Sequence, residues 1–181
     1  TEGTKTLGIT IAGKTASATV NDTSTTPPES VNKTFTLTTG ADNISGGAGN
    51  DTISAVIGNE LVGATLVSAA TLSGADVVNG GTGTNTLNIV DQAGGTALPA
   101  AQISNIQVIN ASSGGAVTLN TSGLAGVTNL NVTASAGNDI IAVGKGTAVS
   151  VTDTAAAGTV AVTAVDSAVT VNGKAAVTVH G

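Results

Sequence analysis

The sequence predicts an all-β protein, a parallel β-solenoid of the β-roll or β-helix type with an N-terminal β-hairpin arm. Three observations favour this fold. The 181-residue chain has one aromatic residue, Phe35, and no Cys, Met, Trp or Tyr, yet 40% of it is hydrophobic. Apolar residues recur in pairs two positions apart, and a glycine-rich motif recurs at a step of nine. A core of small β-branched residues needs a regular stack of short strands, in which each turn packs on the one below.

The first element is a hairpin over residues 1–21. Leu7, Ile9 and Ile11 alternate on one face, and Gly13-Lys14 follows as the expected tight turn. Residues 22–34 are predicted to be a linker, because Pro27-Pro28 is stiff and cannot join a central strand. We expect the hairpin to dock on the solenoid or on a neighbouring subunit, since an isolated two-stranded hairpin is marginally stable in water.

Residues 35–91 are predicted to be calcium-binding β-roll-like repeats. Their motif is a glycine, an acid two residues later and an apolar residue two beyond that. It occurs in the segments that begin at 40, 49 and 58, again at 74, and once more at 137, and the segment that begins at 83 repeats it with Asn85 in place of the acid. Glycine permits sharp turns at positive φ, the acid would face turn carbonyls, and the apolar residue would enter the core. A hard cation such as Ca²⁺ binds carboxylate and carbonyl oxygens of this kind.

Residues 92–181 are predicted to continue the solenoid in degenerate form. The glycine motif thins out, but apolar pairs persist, and both members of a pair should face the core. A turn with two such strands would need about 17 to 24 residues. The predicted core pairs are Ile106/Val108, Val117/Leu119, Leu130/Val132, Ile141/Val143, Val149/Val151, Val160/Val162, Val169/Val171 and Val177/Val179.

Composition and charge exclude several functional classes. The net charge is −6 with five basic residues, so no basic patch is expected for nucleic acid. The chain contains no stretch of about 20 apolar residues, so no membrane span is expected. One His and no Cys leave no triad to build, and a glycosidase carboxylate pair would lack aromatic sugar platforms. We therefore expect a non-enzyme whose cofactor is Ca²⁺.

The quoted motifs also carry a family resemblance. FTLTTGADNISGGAGNDTI (35–53) and SGADVVNGGTGTNTLNIVD (73–91) resemble the repeats-in-toxin proteins, and particularly the Gram-negative surface-layer proteins exported by type I secretion. The resemblance implies a β-roll or β-helix with Ca²⁺ between neighbouring turns, and secretion before calcium-driven folding. Mapped onto this chain, the implied metal-site residues are Asp42, Asp51, Asp76 and Asp139, the turn glycines Gly47 and Gly49, and the departures Glu60 and Asn85.

An alternative to calcium binding applies to each of these acids, which could be a plain turn residue that caps its own backbone. We favour this interpretation for three further acids that lie outside the motif, Asp91, Asp153 and Asp166. Glu60 has no double glycine before it, and Asn85 replaces the acid, so both sites should be weak or empty. His180 is expected to be solvated.

The sequence thus predicts an extracellular structural protein on a bacterial cell surface. Its partners would be Ca²⁺ and other copies of itself in a layer or fibre, with cell-surface polysaccharide as a candidate anchor. One alternative is the calcium-binding repeat region of a larger secreted hydrolase or toxin. Another is an adhesin or ice-binding solenoid, although the residues between the core pairs form no clean threonine ladder.

Overall fold

The structure, a computed structural model, describes residues 5–11, 13–20, 30–63, 65–134, 136–154, 158–173 and 175–181. Within these ranges the chain forms strands and turns and no helix. The described residues therefore contain no helix that could cross a membrane. The strands are stacked as a parallel β-solenoid of about seven turns with a separate N-terminal hairpin. The predicted fold class is therefore confirmed.

The arm consists of β1 (Lys5–Ile11) and β2 (Lys14–Val20), which pair antiparallel from Lys5↔Val20 to Ile11↔Lys14. The prediction that Lys14 is a turn residue is wrong, because Lys14 begins β2 and pairs with Ile11. Gly13, at φ +74°, supplies the turn conformation that side chains disfavour. Neither strand pairs with a solenoid strand among the described residues, and docking of the arm on the solenoid or on a neighbouring subunit stays a prediction. The predicted linker lies mostly outside the described residues, and the predicted domain boundaries stay predictions.

One face of the solenoid is a continuous parallel sheet that receives one strand from each turn. In spatial order the seven strands are β3 (Thr34–Thr36), β5 (Thr52–Val56), β9 (Thr86–Asp91), β11 (Val108–Ser113), β13 (Asn129–Ala134), β15 (Ala148–Asp153) and β17 (Val169–Asn172). A single register keeps like residues in columns, as in Ile53↔Leu87, Leu87↔Ile109 and Ile109↔Leu130.

The opposite face is divided into two parallel sheets. The first contains β4 (Asn43–Ser45), β8 (Val77–Asn79) and β10 (Gln102–Ser104), and the second contains β12 (Thr118–Asn120), β14 (Asp139–Ala142), β16 (Thr159–Thr163) and β18 (Ala176–His180). Each turn of the solenoid therefore has two strands and two connecting turns, one at each edge of the stack.

Most turns have the predicted length, and one carries an insertion. The step between stacked residues is 18 from Lys33 to Asp51, 22 from Asn88 to Asn110 and 21 from Asn110 to Asn131. It rises to 34 from Asp51 to Asn85. The extra residues include an antiparallel hairpin of β6 (Asn59–Val62) and β7 (Thr65–Ser68).

This insertion corrects the predicted third nonapeptide at 58–62. Glu60 lies in β6, pairs with Val67 across the hairpin, and is not at a turn between stacked strands. Gly63, at φ +65°, provides the positive φ that a two-residue hairpin loop requires. The glycine-acid-apolar spacing is therefore present at 58–62 without the solenoid turn that it predicts elsewhere.

Inward-facing aliphatic residues form one core along the stack. The five predicted pairs from Val117/Leu119 to Val160/Val162 are all buried, which confirms them. The pair Ile106/Val108 is half wrong, because Ile109 faces the core with Leu87 and Leu130 while Val108 points outward. The last turn also departs from the prediction.

In that last turn Val169 and Val171 are only partly buried, and Val177 and Val179 are about half exposed, at 48% and 50%. They stand in register with the fully buried Val160 and Val162. Their exposure follows from their position, because no turn in the described part of the chain lies over them.

Candidate calcium site

The turns that lead into the seven-stranded sheet form the Asp51 edge, which includes residues 46–51, 80–85 and 105–107. The first two turns are the segments GGAGND and GGTGTN, and the second is stacked on the first. Gly47 and Gly49 have φ of +99° and +113°, and Gly81 and Gly83 have +81° and +105°. The repeated glycines therefore produce the same backbone turn twice, which places residues 51 and 85 in equivalent positions.

A ladder of hydrogen bonds joins neighbouring turns along the Asp51 edge. Lys33 N–H donates to Asp51 Oδ1 at 2.7 Å, and Asp51 N–H donates to Asn85 Oδ1 at 2.8 Å. Asn85 N–H in turn donates to Gln107 Oε1 at 2.7 Å. One side-chain oxygen at each level is thus used to hold the backbone of the adjacent turn.

The second carboxylate oxygen of Asp51 has a different environment. Asp51 is 1% exposed, and its Oδ2 has no hydrogen-bond partner among the described residues. A Cβ built on Gly46 would overlap both Asp51 Oδ2 and the carbonyl oxygen of Gly80. Two acceptor oxygens from successive turns therefore converge beside a glycine that has no side chain to fill the space.

The levels on either side of Asp51 are closed by protein donors. The Lys33 ammonium donates to the Gly46 carbonyl at 2.6 Å, and Asn85 Nδ2 donates to the Asn105 carbonyl at 3.0 Å. A Cβ on Gly80 would overlap Asn105 O and lie 2.6 Å from Asn85 Nδ2, so the geometry at Gly80 repeats that at Gly46. At the Asn85 level an amide donates a proton to the carbonyl, whereas at the Asp51 level no donor from the described residues reaches Asp51 Oδ2.

The opposite Asp76 edge, which includes residues 37–42 and 72–76, satisfies its acids internally. Asp76 Oδ1 accepts from Asp42 N–H at 2.8 Å, and Asp76 Oδ2 accepts from Ser73 N–H at 2.6 Å. Asp42 Oδ2 accepts from Thr38 N–H at 2.7 Å, and both of its oxygens contact the Thr38 hydroxyl. Burial raises the pKa of Asp76, but the hydrogen bonds from Asp42 and Ser73 outweigh it and hold that pKa below its usual value.

Asp139 resembles Asp51 more closely than it resembles Asp76. It is 1% exposed, its Oδ1 accepts from Val117 N–H of the preceding turn at 2.8 Å, and its Oδ2 has no partner in the described part of the chain. Burial raises the pKa of Asp139, the Val117 hydrogen bond lowers it, and the charge of Asp153 raises it again; the net direction is upward.

The prediction that Asp91 is a turn residue that caps its own backbone is confirmed, whereas sequence reasoning gave too little weight to Asp153. Both are almost fully buried at the end of a strand of the seven-stranded sheet. Asp91 caps its own loop, because its carboxylate accepts from Gly94 N–H at 3.0 Å and Thr96 N–H at 2.8 Å. The alternation Val149, Val151, Asp153 was the available signal, since it places the acid on the same inward face as the two valines.

The remaining candidates are set apart from these acids. Glu60 Oε1 accepts from Gln92 Nε2 at 3.4 Å, away from the stacked glycine turns. His180 is exposed in β18, and Asp166 pairs with Lys145 at 2.9 Å on the surface. Across the described residues, no three His, Cys, Asp or Glu side chains meet as a metal cluster.

A cation at the Asp51 edge would instead rely on one carboxylate and several backbone carbonyls. Ca²⁺ accepts this donor set, because it takes six to eight oxygens in flexible geometry and uses carbonyls readily. The site has no thiolate or imidazole, which a structural Zn²⁺ site would need. The residues that are present at Asp51, Gly46 and Gly80 therefore fit a hard cation.

Comparison with protein families agrees with this chemistry. Residues 34–59 and 71–88 match the RTX calcium-binding nonapeptide repeat, in four copies. The match contains the Asp76 edge and the first two turns of the Asp51 edge, and it ends before residues 105–107 and Asp139. It also excludes most of the β6–β7 hairpin, which the structure places outside the stack. Neither the curated proteins nor the solved structures yield a match to this chain.

Proposed function

We propose that this chain, which carries RTX calcium-binding nonapeptide repeats within a β-solenoid, is an extracellular, non-catalytic structural protein whose solenoid is completed by Ca²⁺ and assembles into a surface layer or fibre. Repeats of this family bind calcium. One observation carries the calcium part of the proposal. Asp51 Oδ2 is buried, has no hydrogen-bond donor among the described residues, and converges with the Gly80 carbonyl beside Gly46.

The electrostatics of this arrangement require a positive partner. A buried carboxylate oxygen and a carbonyl dipole that face one another repel, and a buried unpaired charge is costly. A Ca²⁺ ion between the turns of 46–51 and 80–85 would neutralise Asp51 and bind the two turns together. We place the ion on Asp51 rather than on Asp42 or Asp76, because the oxygens of those two acids already accept hydrogen bonds.

Calcium would then act as a folding cofactor. An ion that binds only the folded turns adds its binding free energy to stability. Extracellular calcium modules have dissociation constants of about 10⁻⁴ to 10⁻³ M, so 10 mM Ca²⁺ would stabilise one site by about 1.4 to 2.7 kcal/mol. Such a site would be empty where Ca²⁺ is scarce and occupied where Ca²⁺ is millimolar. This dependence suits a chain that folds after export.

The assembly part of the proposal is supported by the resemblance of the segments 35–53 and 73–91 to the repeats of Gram-negative surface-layer proteins.

The calcium part is tested with Asp51→Asn and Asp51→Ala. The asparagine variant should behave like the Asn85 level, with its amide donating to the Gly80 carbonyl. We expect it to bind one ion fewer than wild type by calorimetric titration, and its melting temperature should rise less than that of wild type when 10 mM Ca²⁺ replaces chelator. The alanine variant should also lose the ion, but it should be less stable than wild type in both conditions. An unchanged ion count in both variants would refute the assignment.

The assembly part is tested by sedimentation and negative-stain electron microscopy at millimolar Ca²⁺ and in chelator. We expect ordered sheets or fibres with Ca²⁺ and dispersal by chelator. A chain that remains monomeric at all calcium concentrations would contradict the structural role and leave the ion assignment intact.

A further inference from the structure

The dipeptide Asn-Gly occurs twice in the chain, at Asn79-Gly80 and at Asn172-Gly173. An asparagine in this context is open to attack by its own chain, because glycine has no side chain that would block the approach of its backbone nitrogen to the preceding amide. The glycine nitrogen bonds to the asparagine Cγ, the Cγ–Nδ2 bond breaks, and ammonia leaves. Water then opens the resulting succinimide on either side and gives aspartate or isoaspartate. The two copies lie in opposite environments.

The first copy, Asn79-Gly80, is held in the middle of a sheet. Its strand β8 lies between β4 and β10, and Gly80 N–H donates to Ser104 O at 3.1 Å. Asn79 Oδ1 accepts from Gly81 N–H at 2.9 Å and from Asn105 Nδ2 at 2.8 Å. The attacking nitrogen and the amide that it would attack are therefore both engaged, and each must lose its hydrogen bonds before they can meet.

The second copy, Asn172-Gly173, has none of these restraints. Asn172 is exposed at the end of β17, which pairs only with β15 among the described strands. No other described residue makes a hydrogen bond with the Asn172 side-chain amide or accepts one from Gly173 N–H. Both reacting groups are therefore available to each other and to water.

The exposure of Asn172 follows from the face of the strand on which it lies. Val171 faces the core in register with the buried Val151, so the next residue, Asn172, points outward by the alternation of a strand. Thr133 and Thr152 stand in the same outward column and are exposed as well, although their strands are paired on both sides. Solvent therefore reaches this column in covered turns of the solenoid too.

We propose that Asn172 is a site of spontaneous modification, where the chain forms a succinimide and then isoaspartate or aspartate, whereas Asn79 is protected by the fold. The reaction needs only water, so it depends neither on calcium nor on assembly. Either product adds a negative charge to a chain whose net charge is −6. Isoaspartate also inserts a methylene into the backbone of β17 opposite Thr152, which weakens the pairing of β17 with β15 over time.

The test follows conversion at each asparagine of the full chain during incubation at pH 8 in 10 mM Ca²⁺. Peptide mapping by mass spectrometry, with electron-transfer fragmentation, separates asparagine, aspartate and isoaspartate. The same chain in urea gives the rate of each dipeptide without the fold. Asn131 is the internal control for exposure alone, since it is exposed on the same outward face but precedes Val132. Asn105→Gly removes the amide that holds Asn79 Oδ1 and keeps the positive φ of that position available.

In urea we expect Asn79 and Asn172 to convert at similar rates. In the folded chain Asn172 should keep most of its rate, and Asn79 should be slower than Asn172 by at least about tenfold, because its hydrogen bonds must break first. Asn105→Gly should speed conversion at Asn79 and leave Asn172 unchanged, and Asn131 should stay intact. If folded Asn172 converts no faster than folded Asn79, or no faster than Asn131, the proposal is overturned.

Discussion

Replacing Asn85 by aspartate should create a new calcium site from a level that the amide now closes. Asn85 is fully buried, its Oδ1 accepts from Asp51 N–H at 2.8 Å, and its Nδ2 donates to Asn105 O at 3.0 Å. Aspartate would keep the first hydrogen bond. It would turn the second into a contact between two acceptor oxygens beside Gly80, which is the arrangement found beside Gly46.

The magnitude follows from these contacts. Without a cation, the variant loses one buried hydrogen bond and leaves a charged oxygen unsatisfied, at a cost of about 3 kcal/mol. For a chain of this size that lowers the melting temperature by roughly 6 to 12 °C. With 10 mM Ca²⁺ a site of extracellular affinity restores about 1.4 to 2.7 kcal/mol, so most of the loss should be recovered.

The assay is chemical unfolding of Asn85→Asp and wild type in chelator and in calcium, together with a calorimetric ion count. We expect one additional ion and a stability that depends more strongly on calcium than that of wild type. Asn120→Asp adds the same charge at the exposed end of β12 and should change neither quantity. If Asn85→Asp binds no additional ion and loses the same stability in both conditions, two acceptor oxygens that meet beside Gly80 do not form a cation site. The assignment of a cation to the equivalent place beside Gly46 would then be wrong.

Three further predictions concern the stack as a whole. The Asp76 carboxyl has a lowered pKa when folded, so the unfolded chain binds more protons; its stabilising effect should be complete above about pH 4 and decline as pH falls through the lower folded value. Urea titrations from pH 5 to 2.5 should therefore show a shallower loss for Asp76→Asn than for wild type. Asn110→Ala removes two side-chain hydrogen bonds of 2.9 Å, to Asn88 and Asn131, and should cost about 1 to 3 kcal/mol by urea unfolding in either calcium condition. Chelator should lower the free energy of unfolding of wild type more than that of Asp51→Asn, and equal losses would place calcium elsewhere.

The fold was predictable because two short periods are written directly in the sequence. Pairs such as Leu130/Val132 and Val149/Val151 alternate with polar residues, and period two assigns them to one face without further information. The stretch from Ile106 to Ile109 offers three apolar residues, so alternation alone cannot choose between Val108 and Ile109. The choice is made by register, since Ile109 pairs with Leu87 and Leu130 in adjacent turns.

Glu60 shows where local spacing misleads. Its glycine-acid-apolar pattern matches that of Asp51, but a turn of the solenoid also needs a strand on each side that pairs with the neighbouring turns. The residues after Glu60 reach Gly63 and pair back on themselves in the β6–β7 hairpin. That outcome depends on competition between a local hairpin and a non-local stack, and a motif of five residues carries no information about it.

The difference between Asp51 and Asp76 can be traced to the residues that precede each acid. Before Asp76 the turn reads Leu-Ser-Gly-Ala, and the Ser73 N–H lies close enough to donate a hydrogen bond to the carboxylate. The acid therefore caps its own turn. Before Asp51 the turn reads Gly-Gly-Ala-Gly-Asn, and Gly46 leaves beside Oδ2 a space that a Cβ would fill. A single glycine preceded by Ser or Thr thus produces a self-capped acid, and a double glycine produces an acid that faces the carbonyl of the next turn.

The same argument determines how many ions the Asp51 edge should hold. At each level of this edge, a positive or hydrogen-bond-donating group must face the carbonyl oxygen of the adjacent turn. The chain supplies that group itself at two of the three described levels. The Lys33 ammonium donates to Gly46 O, and the Asn85 amide donates to Asn105 O. Only the level of Asp51 and Gly80 is left for a cation. Lysine and asparagine therefore end a column of calcium sites without ending the solenoid, because the hydrogen-bond ladder through Asp51, Asn85 and Gln107 does not depend on which positive group fills each level.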